Sequence, residues 1–345
     1  MEPLRAAIIG CGRMGSTIDD ELPRWASSTK PYAHAARYAA VPDTVLVAAC
    51  DSDQEKLAAC GDKWGLQALY SDIEAMMAQE RPDIVSICTR TCIRHEVAMQ
   101  VIAHKPRAIL LEKPMAETLR QCDEIIAACE AEGIVTAVNC SRRWEPGYTQ
   151  AKALVADVIG PLRCITGFCP GRLSHMGSHL IDLVRYLVDD APAQWVSGHV
   201  PGADEGDEDV SGLGMIQFAG PISGYVNMLD AGAVGVEVDL IGTTGRIHIG
   251  DNGNWCRLWV QTKEGLGRPS LAELPFPQPL DIPNMGRMSV IDIVDCVRNG
   301  GKPRCSAVDG RAALELALAL RHSERICGQR VALPYLNVDE PIRST

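Results

Sequence analysis

The sequence predicts an α/β chain: a doubly wound parallel sheet over residues 1–140, then an α+β region over 141–345 built on a large, mostly antiparallel sheet. Two observations carry this reading. In the first part, short and almost wholly apolar segments alternate with helical ones, the pattern of strands buried on both faces and joined by crossover helices. From about residue 160, strand-like segments follow one another with Gly or Pro at the turns and no helix between them, as antiparallel neighbours do. A length of 345 residues accommodates two domains of ordinary size.

In chain order, strands are expected at Leu4–Gly10, Val45–Asp51, Ile84–Cys88, Ala108–Leu111 and Ile134–Val138. Helices are expected at Gln54–Trp64, Ile73–Gln79, Glu96–Ala103 and Leu119–Glu132. In the second part Arg163–Phe168 is strand-like and Ser178–Val188 has the period of an amphipathic helix. Gln194–Val200, Val210–Phe218, Ile222–Leu229, Val234–Ile241, Arg246–Ile249 and Trp255–Val260 read as strands. Gly202–Asp209, acidic and glycine-rich, reads as a turn or exposed loop. Gly265–Met285, rich in proline and without a period, reads as one long loop. Two helices, Ser289–Arg298 and Ala307–Cys327, close the chain; Ser306 caps the second, with Asp309 three residues on and Gly328 past its end.

Composition narrows the function. The net charge of −11 and the absence of any Lys/Arg run argue against a nucleic-acid partner. No basic stretch with an apolar segment precedes the first strand, and no apolar run is long enough to cross a bilayer. The 14 cysteines include no CxxC pair and several sit in apolar segments, so they read as reduced core thiols of a cytoplasmic protein, with no metal site expected.

The chemistry begins at Gly10-Cys11-Gly12-Arg13-Met14-Gly15, a GxGxxG directly after the first strand. Glycine at 10 and 12 allows a tight turn and close approach of a pyrophosphate, and the N–H groups of the following helix start would meet its charge. This is the fingerprint of a Rossmann dinucleotide-binding domain. Asp51 ends the second strand, where a carboxylate can accept from both ribose hydroxyls and would repel a 2′-phosphate. Ser52 and Asp53 follow it, not Arg or Lys, so NAD is favoured over NADP. Asp51 stands 36 residues after Gly15, against about 20 in the compact fingerprint. The surplus falls in Thr17–Pro31, read either as a surface insertion or as a lid carrying Trp25 or Asp19.

The strand Ala108–Leu111 runs into Glu112-Lys113-Pro114. Before it come Ile87-Cys88-Thr89 with His95, and after it Arg142-Arg143-Trp144-Glu145-Pro146, Gly177-Ser178-His179-Leu180-Ile181-Asp182, and Glu237 to Gly245. Together these resemble the Gfo/Idh/MocA (glucose–fructose oxidoreductase/inositol dehydrogenase) family along nearly the whole chain. The resemblance implies an NAD-binding domain over 1–140 and a substrate-binding, oligomerising domain over 141–345. It implies hydride transfer at a secondary hydroxyl or carbonyl of a cyclic polyol, sugar or sugar derivative, and a homodimer or homotetramer. Cofactor contacts fall on the glycine loop, Asp51, Ser52, Cys88, Thr89, His95 and Glu112. Lys113 and His179 are the expected catalytic residues. Lys113 at the nicotinamide end could stabilise an alkoxide, since burial can lower a lysine pKa enough for proton transfer.

Three positions depart from the family pattern. Arg90 stands where Pro is usual. His175 replaces the Asp expected four residues before His179, so it is read as a substrate-binding or proton-relaying residue. Only 15 residues separate Arg163 from His179, a shortened wall in which Arg172 joins Trp144 and His175 as candidate substrate contacts. A catalyst that retains NAD for transient oxidation, and a non-catalytic NAD-binding sensor, stay open as alternatives.

Overall fold

The structure is a computed structural model that describes residues 2–21, 30–203, 206, 208–229, 235–262, 270–277 and 284–343. Packing divides the chain into two units, Met1–Trp144 with Pro283–Arg311, and Glu145–Ile282 with Ala312–Thr345.

The first unit follows the predicted alternation: β1 (Leu4–Ile9), α1 (Ile18–Glu21), α2 (His34–Ala40), β2 (Thr44–Cys50), α3 (Gln54–Trp64), β3 (Ala68–Tyr70), α4 (Ile73–Glu80), β4 (Ile84–Ile87), α5 (Thr91–Ala103), β5 (Ala108–Leu111), α6 (Leu119–Glu132) and β6 (Val135–Val138). All six strands pair in parallel in the order β3-β2-β1-β4-β5-β6. β4, β5 and all of β1 but Arg5 are buried, which is why their sequences read as continuous apolar runs. The order reverses between β1 and β4, so the strand ends there open a crevice, the usual ligand position of such sheets. Helix ends follow local chemistry. Asp53 caps α3, Thr118 and Gln121 form a capping box on α6, and Gly65 and Gly133 end these helices in the left-handed region. β3 went unread because three half-buried residues carry no period.

The second unit contains α7 (Pro146–Leu154), β7 (Leu162–Pro170), α8 (Gly177–Leu187), β8 (Ala193–His199), β9 (Gly212–Phe218), β10 (Ser223–Leu229), β11 (Glu237–Gly242), β12 (Gly245–Gly250), β13 (Trp255–Thr262) and β14 (Ser270–Leu274). α9 (Met285–Asn299) follows and packs in the first unit, where Val290, Ile293 and Val294 join the core of Ile8, Tyr38 and Leu110. Sequence order places this helix with the second part, because order alone does not show a chain returning to an earlier core. α10 (Ala307–Arg325) and β15 (Val331–Ala332) complete the elements. The nine strands run β14-β13-β12-β11-β7-β10-β9-β8-β15. Only β7 and β10 pair in parallel; the rest are antiparallel.

β14 corrects the expectation of one long loop over Gly265–Met285. It pairs with β13 from Leu258↔Leu274 to Thr262↔Ser270. Its near-complete exposure at the sheet edge leaves no alternating pattern to read. The loop expected over Gly202–Asp209 also needs correction at two residues: Ala203 and Asp209 are buried. Trp25 and Val234 lie outside the described residues. No helix among the described residues is long and apolar enough to cross a membrane.

One close approach fixes how α10 lies on this sheet. Gly198 of β8 and Gly214 of β9 are paired directly. A Cβ on Gly198 would fall 2.6 Å from the Leu320 carbonyl oxygen, and one on Gly214 would fall 2.2 Å from Leu320 Cδ2. The paired glycines are thus the seat of the helix. Gly198→Val should destabilise the protein by about 1–3 kcal/mol, measured by urea denaturation; an unchanged midpoint would contradict this packing.

Candidate functional site

In the first unit the glycine loop, Asp51, Cys88, Thr89 and Glu112 meet at the carboxyl ends of β1, β2, β4 and β5. Gly10 donates its N–H to Cys50 O and Cys88 donates to Ile9 O. Gly10 has φ +94° and a Cβ there would lie 2.9 Å from the Cys88 carbonyl carbon. A Cβ on Gly15 would fall 1.9 Å from Gly10 O, whereas one on Gly12 would meet nothing within 4 Å. Gly10 and Gly15 therefore build the turn, and Gly12 leaves the open space that a pyrophosphate needs.

Asp51 is tied to this loop: Oδ2 accepts from Cys11 N at 2.7 Å and Oδ1 from Asp53 N at 2.9 Å. Ser52 is exposed beside it. The buried hydroxyl of Thr89 has no hydrogen-bond partner among the described residues. An orphaned donor at the end of β4 and free space over Gly12 both fit a dinucleotide. Arg13 extends outward to Glu21 at 2.7 Å, and Met14 is half-buried.

Glu112 is buried at the end of β5, and two of the side chains answering it, His34 and Asn139, carry no sequence motif. His34 Nε2 lies 2.9 Å from Oε1, and Asn139 Nδ2 donates to the same oxygen at 2.5 Å. The Lys113 N–H donates to Oε2 at 3.2 Å. Arg37 donates to Asn139 Oδ1 at 2.7 Å and to Ser289 Oγ at 3.3 Å. Arg94 donates to the carbonyls of Thr89 and Pro114, so the ends of β4 and β5 are clamped by one guanidinium. The Lys113–Pro114 peptide is cis.

The electrostatics follow from burial. Burial alone would raise the Glu112 carboxyl, but the hydrogen bond from His34, the Lys113 charge and the Asn139 donor bring it down to about 2. Burial pushes His34 below its ordinary value against the pull of Glu112. It pushes Lys113 down too, again opposed by Glu112. Burial raises the thiol of Cys88.

His95 sits on α5 with Nε2 2.7 Å from Glu124 Oε2 on α6. Trp144 is a correction: it is 1% exposed and donates its indole N–H to Asp292 at 3.0 Å. A ring so enclosed packs the first unit and is not free to line a substrate pocket. Asp19 accepts from the N–H groups of Tyr32 and Ala33, which makes it an anchor for the start of α2.

In the second unit His175 and Arg172 are exposed, and His179 is buried within the first turn of α8. The carboxylate of Asp209 accepts from Ser174 N at 2.8 Å and His175 N at 2.9 Å, and its own burial raises its pKa. Asp209 thus holds the backbone turn that carries His175 into α8. A carboxylate acting on backbone from 34 residues away leaves no motif in the sequence.

These shifts set a pH dependence. His34 has a folded pKa below the ordinary 6.5, so its contribution is complete above that value and declines as pH falls and the unfolded chain takes up a proton. Glu112 is depressed from 4.5 to about 2, so its contribution is lost between those values on acidification. Urea denaturation across pH should show the two declines, and His34→Gln should remove the first; identical profiles down to about pH 5 would contradict the neutral buried imidazole.

Residues 4–140 match the Gfo/Idh/MocA family model, described as an oxidoreductase family with an NAD-binding Rossmann fold. A D-apiose dehydrogenase of Paraburkholderia graminis is 26% identical, covering 98% of this chain and 92% of its own length. The scyllo-inositol 2-dehydrogenase (NAD(+)) of Bacillus subtilis is 25% identical, covering 93% and 94%. Among solved structures, levoglucosan dehydrogenase in complex with NADH and levoglucosan superposes with a TM-score of 0.80 at 20% identity, over 97% of this chain and all of that one; at that identity the likeness concerns the fold. The matched segment takes in the whole parallel sheet from β1 to the end of β6, and over these residues the chain is similar to the NAD-binding Rossmann domain of the Gfo/Idh/MocA oxidoreductases.

Proposed function

We propose that the protein interconverts a secondary hydroxyl and a carbonyl on a cyclic polyol, sugar or sugar derivative, using NAD. The carrying observation is Lys113, which follows the buried Glu112 carboxylate at the end of β5, with burial pressing its charge down and Glu112 holding it up. NAD, when bound, supplies the hydride acceptor. Lys113 Nζ takes the proton from the substrate hydroxyl, or stabilises the oxygen while it is negative. His179 and His175 are assigned hydrogen bonds to substrate oxygens, and Arg172 a peripheral contact. The activities of the relatives, a D-apiose dehydrogenase and a scyllo-inositol 2-dehydrogenase, support the substrate class.

NADH absorbance should appear on mixing the protein with NAD and one of apiose, the inositols, glucosides or levoglucosan. Lys113→Met should lower kcat by about 100-fold to 10,000-fold while NADH binding, read by fluorescence, stays close to wild type. Silence across the panel with NADH bound would sink this reading.

The same unit that bears the histidines also supports assembly into a homodimer or homotetramer. Phe168, Leu213 and Tyr225 are exposed on the sheet, around a concavity of about 600 Å³. None of the residues assigned chemistry lines it. Apolar area of this kind on neighbouring strands is what an isologous contact buries. Sedimentation should give a dimer or tetramer that Tyr225→Glu dissociates; a monomeric wild type would overturn the assignment.

A further inference from the structure

Helix α2 supplies three of the groups gathered at Glu112, and the chemistry assigned above uses none of them. His34, Arg37 and Tyr38 occupy one helix face at the i, i+3, i+4 spacing, and all three are buried.

The direction of each proton along this row is forced. A carboxylate only accepts, so His34 Nε2 carries a proton and donates to Glu112 Oε1 at 2.9 Å. A neutral imidazole has one N–H, so Nδ1 accepts, from the Ser86 hydroxyl at 2.8 Å. With the Ser86 proton engaged, the Tyr38 hydroxyl donates to Ser86 Oγ at 2.8 Å. Tyr38 and Ser86 are wholly buried, so the row opens to solvent at neither of them and holds the carboxylate in place. Asn139 fixes Oε1 from another side and is itself held by Arg37. Oε2 is left to accept the Lys113 N–H.

We propose that His34 is a positioning residue for Lys113: as the neutral Nε2–H imidazole it fixes the Glu112 carboxylate, which in turn holds the main chain and the charge of Lys113. The inference rests on the assignment of Lys113 as the proton-handling group. The charged and titratable groups that bear on Lys113 are Glu112, Cys140, Arg142 and Arg94. Of these only Glu112 and Cys140 favour the ammonium, so a displaced Glu112 lowers the Lys113 pKa.

The test compares His34→Leu, which removes the donor, with His34→Gln, whose amide can still donate to Glu112. The first readout needs neither cofactor nor substrate. Lys113 is labelled competitively with acetic anhydride across pH and quantified by mass spectrometry. Its midpoint should fall by about half a unit or more in His34→Leu and return towards wild type in His34→Gln. With an active substrate, kcat should drop about tenfold or more in His34→Leu with KM nearly unchanged. In the wild type, the ¹⁵N shifts of the His34 ring should report an Nε2–H tautomer through neutral pH. An imidazolium or an Nδ1–H tautomer would overturn the proposal even if the leucine variant fails to fold. A folded His34→Leu with unaltered Lys113 labelling would overturn it as well. If no polyol is oxidised yet His34→Leu still moves the Lys113 midpoint, the activity reading fails and the positioning role stands.

Discussion

The Glu112 carboxylate is buried at the end of β5, and the cost of that burial organises the first unit. An ionised carboxylate removed from water must be met by donors or it takes up a proton. Here the donors come from His34 on α2, Asn139 just past β6 and the Lys113 main chain. The two side chains are in turn held: His34 by Ser86 on β4, and Asn139 by Arg37, which reaches Ser289 on α9. One charge therefore sets the position of α2, the ends of β4 and β5, and the helix that returns from late in the chain. A purely apolar core would tolerate small shifts among these elements. A row of hydrogen bonds with forced direction does not.

The same constraint explains why the lysine at this strand end differs from a surface lysine. Burial favours the neutral amine and the adjacent anion favours the ammonium. A group balanced between two such effects changes its protonation with a modest change in surroundings, which is what proton transfer to and from a hydroxyl requires. Arg94 adds a mechanical element. By donating to Thr89 O and Pro114 O it joins the strand end that carries an unpartnered hydroxyl to the turn that carries Lys113.

What the sequence made legible was whatever is encoded locally. β5 and helices α3 and α6 are found at the expected residues because their apolar runs and caps lie within a few residues of one another. The glycine loop, Asp51 and Glu112-Lys113-Pro114 were legible for the same reason: spacing and strand context identify them. His34, Asn139, Arg37 and Arg94 were not. A histidine inside an Ala-rich helical segment and an asparagine after a strand have no motif, and their roles arise from contacts 78, 27 and 102 positions apart. Trp144 erred in the opposite sense. Its neighbours Arg143 and Pro146 fit a motif, but the motif does not reveal that the indole turns inward to Asp292.

The second unit shows how a missing motif residue can be compensated at the backbone. Where the family pattern has an aspartate, this chain has His175, and the nearby carboxylate is Asp209, reached through main-chain N–H groups. A carboxylate at the earlier position could act on a side chain or on substrate; Asp209 instead fixes the turn itself. Its two oxygens each take one N–H from consecutive residues, so the peptide between Ser174 and His175 has a single orientation and the exposed imidazole leaves the turn in a defined direction. Precision at this turn is thus carried by a buried acid acting on the backbone, through N–H groups that any non-proline residue at 175 would supply.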